Sequence, residues 1–314
     1  MTQLSWLRGI PRRGAYSENR GSQSTMQIKK PVDQQGTLYI VATPIGNLED
    51  LSPRAVRVLS DVAVIAAEDT RHSGRLLQHL GISKPLIALH DHNERGRVQG
   101  ILDHLLAGAD VALVSDAGTP LISDPGYVLV REARAEGLRV TPVPGPCALI
   151  AALSAAGLPT DRFLFSGFLP AKRSGRRAAL EALRKETATL VFYESPHRIV
   201  DTVMDIAAVM GEAREVVLGR EITKTFETFY SGAVAEVHAA LLEDPHGNRG
   251  EFVVMVRGAD KSEAGLVAGE LDVDRLLGLL MAELPTRKAA KIAAELTGLS
   301  KNELYQRALD FKAG

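Results

Sequence analysis

Short, near-continuous apolar runs recur at residues 38–42, 62–66, 86–89, 111–115 and 139–142. Strands buried on both faces read this way, whereas half-wet strands alternate. Helical patterns with start and stop signals lie between them. Ser52 precedes Pro53, an N-cap followed by proline at the first helical position. Asn93 and Glu94 open a second pattern that runs through Leu106, and a third runs from Gly126 to Glu136 with Gly137 at its end. The alternation predicts a mostly parallel sheet with helices on its faces.

A second set follows Pro144-Gly145-Pro146. Its runs at 163–166, 189–193, 215–219, 227–230 and 251–256 alternate with helical stretches near 147–155, 174–185 and 197–210. The later runs are spaced like hairpins, which predicts a mixed sheet. The expected organisation is a disordered tail over 1–35, a first α/β domain over 36–145, a second over 146–258, a linker over 259–270 and a helical tail over 271–314. In that tail Thr286 can cap a helix through Leu296, Gly298 breaks it, and Ser300 with Glu303 forms a capping box for a helix to about Phe311. Ile292, Leu296, Leu299, Leu304 and Ala308 would make its small core. A helix-turn-helix and a plain helical hairpin both fit this pattern.

Composition narrows the class. The 314 residues include one Cys, which excludes an intrachain disulfide framework and a Cys-cluster metal site. No metal is expected. No apolar run approaches the roughly 18–20 residues needed to span a bilayer, and residues 1–35 lack the apolar core of a secretory signal. A cytoplasmic protein without a membrane partner is expected. Met26 is a candidate biological start, because ordered sequence begins soon after it. The charges, 37 basic against 38 acidic, nearly cancel. That sum hides a segmentation: residues 1–35 carry +4 and residues 285–314 carry +3, leaving −8 on residues 36–284.

The unusual residues sit where strands end, the place where open α/β sheets bind ligands. After the first strand comes Thr43-Pro44-Ile45-Gly46-Asn47-Leu48, which lacks both G-x-G-x-x-G and the G-x-x-x-x-G-K-[ST] phosphate loop. After the second comes Glu68-Asp69-Thr70-Arg71-His72, readable as an Asp69–Arg71 ion pair or as a polar wall facing a cleft. The cluster His90-Asp91-His92-Asn93-Glu94 suits a helix cap or a substrate contact better than a metal. Residues 115–126 form a long Gly- and Pro-rich loop, in which Asp116 and Asp124 suit a cationic or hydroxyl-bearing ligand. In the second half, residues 168–177 read as a basic loop that fits phosphate contact. Arg220-Glu221-Ile222-Thr223-Lys224 is another charged strand end, structural or substrate-lining.

Taken together, the ordered series 36–48, Ala67-Glu68-Asp69-Thr70-Arg71, Ser115-Asp116-Ala117-Gly118-Thr119-Pro120 through Ser123-Asp124-Pro125-Gly126, Pro144-Gly145-Pro146 and Tyr193-Glu194-Ser195-Pro196-His197-Arg198 closely resembles one family. It is the bacterial 16S ribosomal RNA cytidine 2′-O-methyltransferases, the RNA-modifying branch of the tetrapyrrole methylase superfamily. Cys147 departs mildly from the family's usual small residue. The resemblance implies a two-domain α/β tetrapyrrole-methylase-like fold, with S-adenosylmethionine in the cleft between domains and a small helical domain at the C-terminus. It implies cofactor contacts at Pro44, Gly46, Ser115, Asp116, Ala117, Gly118, Ile122, Ser123, Pro144 and Gly145. It also implies a homodimer and, as substrate, a cytidine ribose of 16S rRNA in the small ribosomal subunit.

Ribose methylation gains from a general base. The strand-end candidates are Glu68, Asp69, His90, Glu94 and Glu194, with Arg71 and Lys172 as holders of flanking phosphates. Lys172, Arg173, Arg176, Arg177, Arg287, Lys288 and Lys291 are the expected RNA contacts. The alternatives are a tetrapyrrole C-methylase of the same superfamily and a non-catalytic ribosome- or RNA-binding protein. A nicotinamide oxidoreductase is disfavoured by the missing glycine fingerprint.

Overall fold

A computed structural model describes residues 35–90, 93–260 and 273–313. Nearly all of the expected tail, most of the expected linker, and Asp91 and His92 of the histidine cluster lie outside the described residues. Five strands form the first sheet: β1 Thr37–Val41, β2 Val64–Ala67, β3 Leu86–Ala88, β4 Val111–Val114 and β5 Arg139–Val143. Their order is β3-β2-β4-β1-β5 and every pairing is parallel. Helices α1 Pro53–Asp61, α2 Thr70–His79, α3 Glu94–Leu106 and α4 Tyr127–Ala135 make the crossovers.

Alternation sorts the apolar runs onto two cores. Val64, Ala66, Val111 and Leu113 face α3 and α4 through Ile101, Leu105 and Leu129. Ile65, Ala67, Ala112 and Val114 face the other way, toward Leu59 of α1 and Leu77 of α2. Both faces are dry, which is why the strands read as continuous apolar runs. Helix α2 is not evident in the apolar pattern of the sequence. Only Ser73 and Leu77 of that helix are buried, too thin a stripe to register as a period, and its start is set by Asp69, whose side chain accepts from the Arg71 amide.

The second sheet holds β6 Phe163–Phe168, β7 Thr189–Glu194, β8 Glu215–Arg220, β9 Thr228–Ala233 and β10 Phe252–Val256, in the order β6-β7-β10-β8-β9. Only β6–β7 is parallel, so the sheet is mixed as expected. One face packs on α6 Arg173–Leu183, α7 Ile199–Met210 and α8 Val234–Glu243, around Phe192, Leu180, Ile199 and Val254. The other packs on α5 Ala148–Ala155 and on Ile45 from the first sheet's leading loop. That shared cluster joins the two α/β units.

The basic stretch at 172–177 is not the loop expected from sequence. From Arg173 onward it is the first turns of α6, not a loop, and three of its arginines converge on one buried carboxylate of α7. Asp205 Oδ1 accepts from Arg173 Nε at 3.1 Å and from Arg177 Nε at 2.6 Å, while Oδ2 accepts from Arg176 Nε at 2.8 Å. Arg176 is buried and therefore closed to an RNA phosphate. Arg173 and Arg177 keep exposed side chains but already hold a counter-charge.

Glu94 was a candidate base, and its carboxylate instead caps α4. Oε1 accepts the amides of Val128 and Leu129 at 2.9 and 3.1 Å. These amides belong to the unsatisfied first turn of a helix, where negative charge is favoured. Glu94→Ala is expected to lower the free energy of unfolding by about 1–3 kcal/mol, read as a lower denaturant midpoint.

The C-terminal unit has three helices rather than two: α9 Val273–Glu283, α10 Thr286–Thr297 and α11 Lys301–Ala313. Val273, Leu277, Ala290, Ala293, Leu304 and Ala308 form its core. Leu296, expected inside, is 59% exposed, because α10 turns its small residues Ala289, Ala290, Ala293 and Thr297 inward. Pro285, not Thr286, occupies the N-cap position, and Gly298 ends α10 at φ 71°.

Candidate active site

Parallel strands β1, β2 and β4 all deliver their carboxyl ends to one edge of the first sheet, so their loops meet there. The Thr43 amide donates to the Gly118 carbonyl at 2.8 Å, and the Gly118 amide returns to the Thr43 carbonyl at 3.0 Å. Thr119 Oγ1 donates to the Pro146 carbonyl at 2.9 Å, tying the 115–126 loop to the corner between sheets. Gly145 permits a close approach there, since a Cβ would stand 3.0 Å from Ala42 Cβ. Leu121 and Ser123 have φ of 73° and 67°. Non-glycine residues rarely hold that conformation, and such strain concentrates at ligand sites.

Two adjoining cavities open along this edge. The first, about 470 Å³, is lined from the first sheet by Ile45, Glu68, Asp116, Ala117, Gly118, Ile122, Ser123 and Asp124. The second sheet closes it with Phe168, Tyr193, Glu194, Ile222, Lys224, Glu251 and Val253. The second cavity, about 420 Å³, is lined by Pro44, Gly46, Leu48 and α2 residues His72, Arg75 and His79. Ile45, Asp116, Ala117, Lys224 and Glu251 line both, so they form the wall between the two.

The structure therefore divides the expected site. Glu68, Asp116, Ala117, Gly118, Ile122, Ser123 and Glu194 line the first cavity, and Pro44 and Gly46 line the second. Ser115 lines neither; it is buried, and its carbonyl accepts from Thr43 Oγ1. Pro144 and Gly145 line neither cavity. Asp69 and Arg71 form an exposed ion pair at 3.2 Å, and hydrogen bonds from Arg71 pull the Asp69 pKa down to about 2. Glu194 is buried, with its oxygens taken by the Ser195 amide, Arg198 Nη2 and Thr202 Oγ1. His90 lines neither cavity; its amide and ring both meet the Asn93 side chain. Among the described residues no group of three or more His, Cys, Asp or Glu could hold a metal ion.

The second sheet contributes more of the site than its strand-end motifs suggest. Lys224 follows a turn in which Glu221 and Thr223 have φ of 50° and 67°. Its Nζ bridges Glu221 Oε1 at 2.8 Å and Glu251 Oε2 at 3.1 Å, and its stem covers Gly46, where a Cβ would meet Lys224 Cγ at 2.3 Å. Burial opposes the Lys224 charge, but the two carboxylates outweigh it and raise its pKa. Tyr193 receives the Leu149 amide and stacks edge-on with Phe165 and Phe168. Burial, then Cys147, pushes the Tyr193 phenol up, so it stays protonated.

Two α/β units with a ligand cleft at converging strand ends define a two-domain small-molecule-binding enzyme class. The family model described as Tetrapyrrole (Corrin/Porphyrin) Methylases matches residues 37–238, and that of the RsmI C-terminal HTH domain matches residues 267–312. The chain belongs to the tetrapyrrole methylase family. It is 59% identical to Ribosomal RNA small subunit methyltransferase I of Pseudomonas aeruginosa, over 87% of this chain and 97% of that one. The protein of that name from Escherichia coli O157:H7 is 57% identical, over 88% and 96%. Among solved structures, the methyltransferase CobJ aligns with TM-score 0.53 at 18% identity, over 71% of this chain and 95% of that one. Cobalt precorrin-4 methyltransferase, CbiF, aligns with TM-score 0.51 at 19% identity, over 73% and 98%. These two likenesses are of fold.

Proposed function

We propose that the protein methylates the 2′-oxygen of a cytidine ribose in 16S rRNA of the small ribosomal subunit, with S-adenosylmethionine as donor. The observation that carries this reading is the pair of adjoining cavities with a shared wall, on a chain 59% identical to a small-subunit rRNA methyltransferase. The first cavity suits the donor. About 470 Å³ lies within the range of cofactor sites. Ile45, Ile122, Ile222 and Val253 supply apolar walls, while Glu68 and Asp124 suit a cationic, hydroxyl-rich ligand. Gly118 keeps one wall flat: its φ is 81°, and a Cβ would approach Ile45 Cγ2 to 3.3 Å.

S-adenosylmethionine, when bound, supplies a methyl carbon on a sulfonium sulfur, which departs as a neutral thioether with the C–S electron pair. The chain must align the incoming oxygen with that carbon and take the hydroxyl proton as the O–C bond forms. Asp116 stands in the wall between the cavities and suits the second task. Its Oδ1 accepts the Asp69 amide at 3.0 Å, which fixes the carboxylate and leaves Oδ2 for the ribose hydroxyl. Glu251, the other carboxylate of that wall, pairs with Lys224. Lys224 stays protonated, so it can stabilise an alkoxide but cannot serve as base.

Exposed Arg287, Lys288 and Lys291 of α10 and Lys172 are the basic residues that suit rRNA contact, with 271–314 as an RNA-contacting unit. A homodimer accords with edge strand β6, which leaves Phe163 and Leu164 42% and 36% exposed. A cytoplasmic place follows from the substrate, and no helix among the described residues is long and apolar enough to cross a membrane. The test is incubation with labelled S-adenosylmethionine and undermethylated small subunits, followed by nuclease mapping. Label on one cytidine ribose is expected. Label on a base, on a porphyrin precursor or nowhere overturns the reading.

A further inference from the structure

The second cavity differs from the first in its charge. His72, Arg75 and His79 are spaced by three and four residues, which puts them on one face of α2. All three are exposed and line the cavity, and none has a side-chain hydrogen bond or ion pair among the described residues. Neighbouring Arg71 is tied to Asp69, and the three arginines of α6 are tied to Asp205. Arg75 is thus a basic side chain at the cleft with its five donors unused. Beside it the Pro44-Ile45-Gly46 turn lines the cavity, and the inner wall includes Asp116 and Lys224, shared with the first cavity.

We propose that this second cavity seats the target nucleotide, splayed out of the rRNA, and that Arg75 holds its flanking phosphate with His72 and His79 beside it. The inference rests on the proposed function and specifies its acceptor side. A nucleotide placed there carries its ribose to the wall at Asp116, facing the donor cavity. Its phosphates stay at the exposed rim, where a planar guanidinium can grip two oxygens at once. Arg71, one of the two phosphate holders expected with Lys172, already pairs with Asp69.

The experiment compares wild type, Arg75→Gln, Arg75→Lys and the control Arg134→Gln, an equal loss of charge on α4 that lines neither cavity. Labelled S-adenosylmethionine and undermethylated small subunits are the substrates, calorimetry gives donor affinity, and subunit binding is followed against salt. Arg75→Gln is expected to raise KM for the subunit about tenfold and to lower the salt slope by about one. Its kcat and donor affinity should stay near wild type. Arg75→Lys should recover part of the loss, and Arg134→Gln should show none. An unchanged KM and slope in Arg75→Gln overturns the inference alone, as does a matching loss of donor affinity. A wild-type protein that transfers no methyl to the subunit overturns both the inference and the function it rests on.

Discussion

Asp205→Ala is expected to destabilise the fold by about 3–5 kcal/mol, the largest loss from any single polar side chain described above. The residue is fully buried and receives three guanidinium groups. Removing it leaves Arg176 charged, nearly inaccessible to water and facing a void. That uncompensated charge, more than the lost attraction, sets the magnitude. The loss should also be felt at a distance, because α6 is held to α7 through this carboxylate and both cover the second sheet's core. Burial works to raise the Asp205 pKa, but the hydrogen bonds from Arg177, Arg176 and Arg173 outweigh it and hold it below 3.8. A depressed folded-state pKa stabilises above the unfolded value and is lost as pH falls through the folded one. Acid unfolding of wild type should therefore draw on this group below about pH 4, and Asp205→Asn should flatten that part of the curve. Chemical denaturation of both variants between pH 2.5 and 7 reads the effect. A midpoint within error of wild type would show that the three arginines are solvated and the cluster is ornamental.

The same cluster shows what charge patterning along a chain cannot tell. Four basic residues in six, at 172–177, look like an RNA contact until α7 supplies Asp205 from 28 to 32 residues away. Arg75 looks ordinary in sequence and is distinguished by lining the second cavity with no side-chain partner among the described residues. The central strands β2, β4, β7, β8 and β10 were legible because they are buried on both faces, which leaves an unbroken apolar run. The first sheet's half of the site was legible for a related reason: parallel strands must deliver all their carboxyl ends to one edge, so the odd residues after each run belong together. The second half obeys no such rule. Glu251 meets Lys224 because β10 inserts between β7 and β8, a pairing order that apolar spacing does not encode. Helix α2 escaped because one Leu and one Ser are all it buries.

Asp116→Asn is expected to lower kcat for methyl transfer by about 10²–10⁴-fold while leaving donor affinity within a few-fold of wild type. The substitution preserves shape and keeps an acceptor for the Asp69 amide, so the 115–126 loop should hold its path. What it removes is the one property a base needs, a carboxylate basic enough to take the hydroxyl proton as the O–C bond forms. The size of the effect separates Asp116 from its rivals. Glu68 lines only the donor cavity, Glu251 is neutralised by Lys224, Glu194 has its oxygens filled, and Glu94 caps α4. A general base must reach the acceptor oxygen while the donor's methyl stands opposite, and only a carboxylate in the shared wall meets both conditions. Glu68→Gln should accordingly weaken donor binding more than it slows the chemical step. Single-turnover rates with saturating donor, set beside calorimetric affinities, distinguish the two outcomes. Were Asp116→Asn to lose donor affinity while its saturated rate held, the carboxylate would belong to the donor's hydroxyls, and the proton would leave to water through the open second cavity.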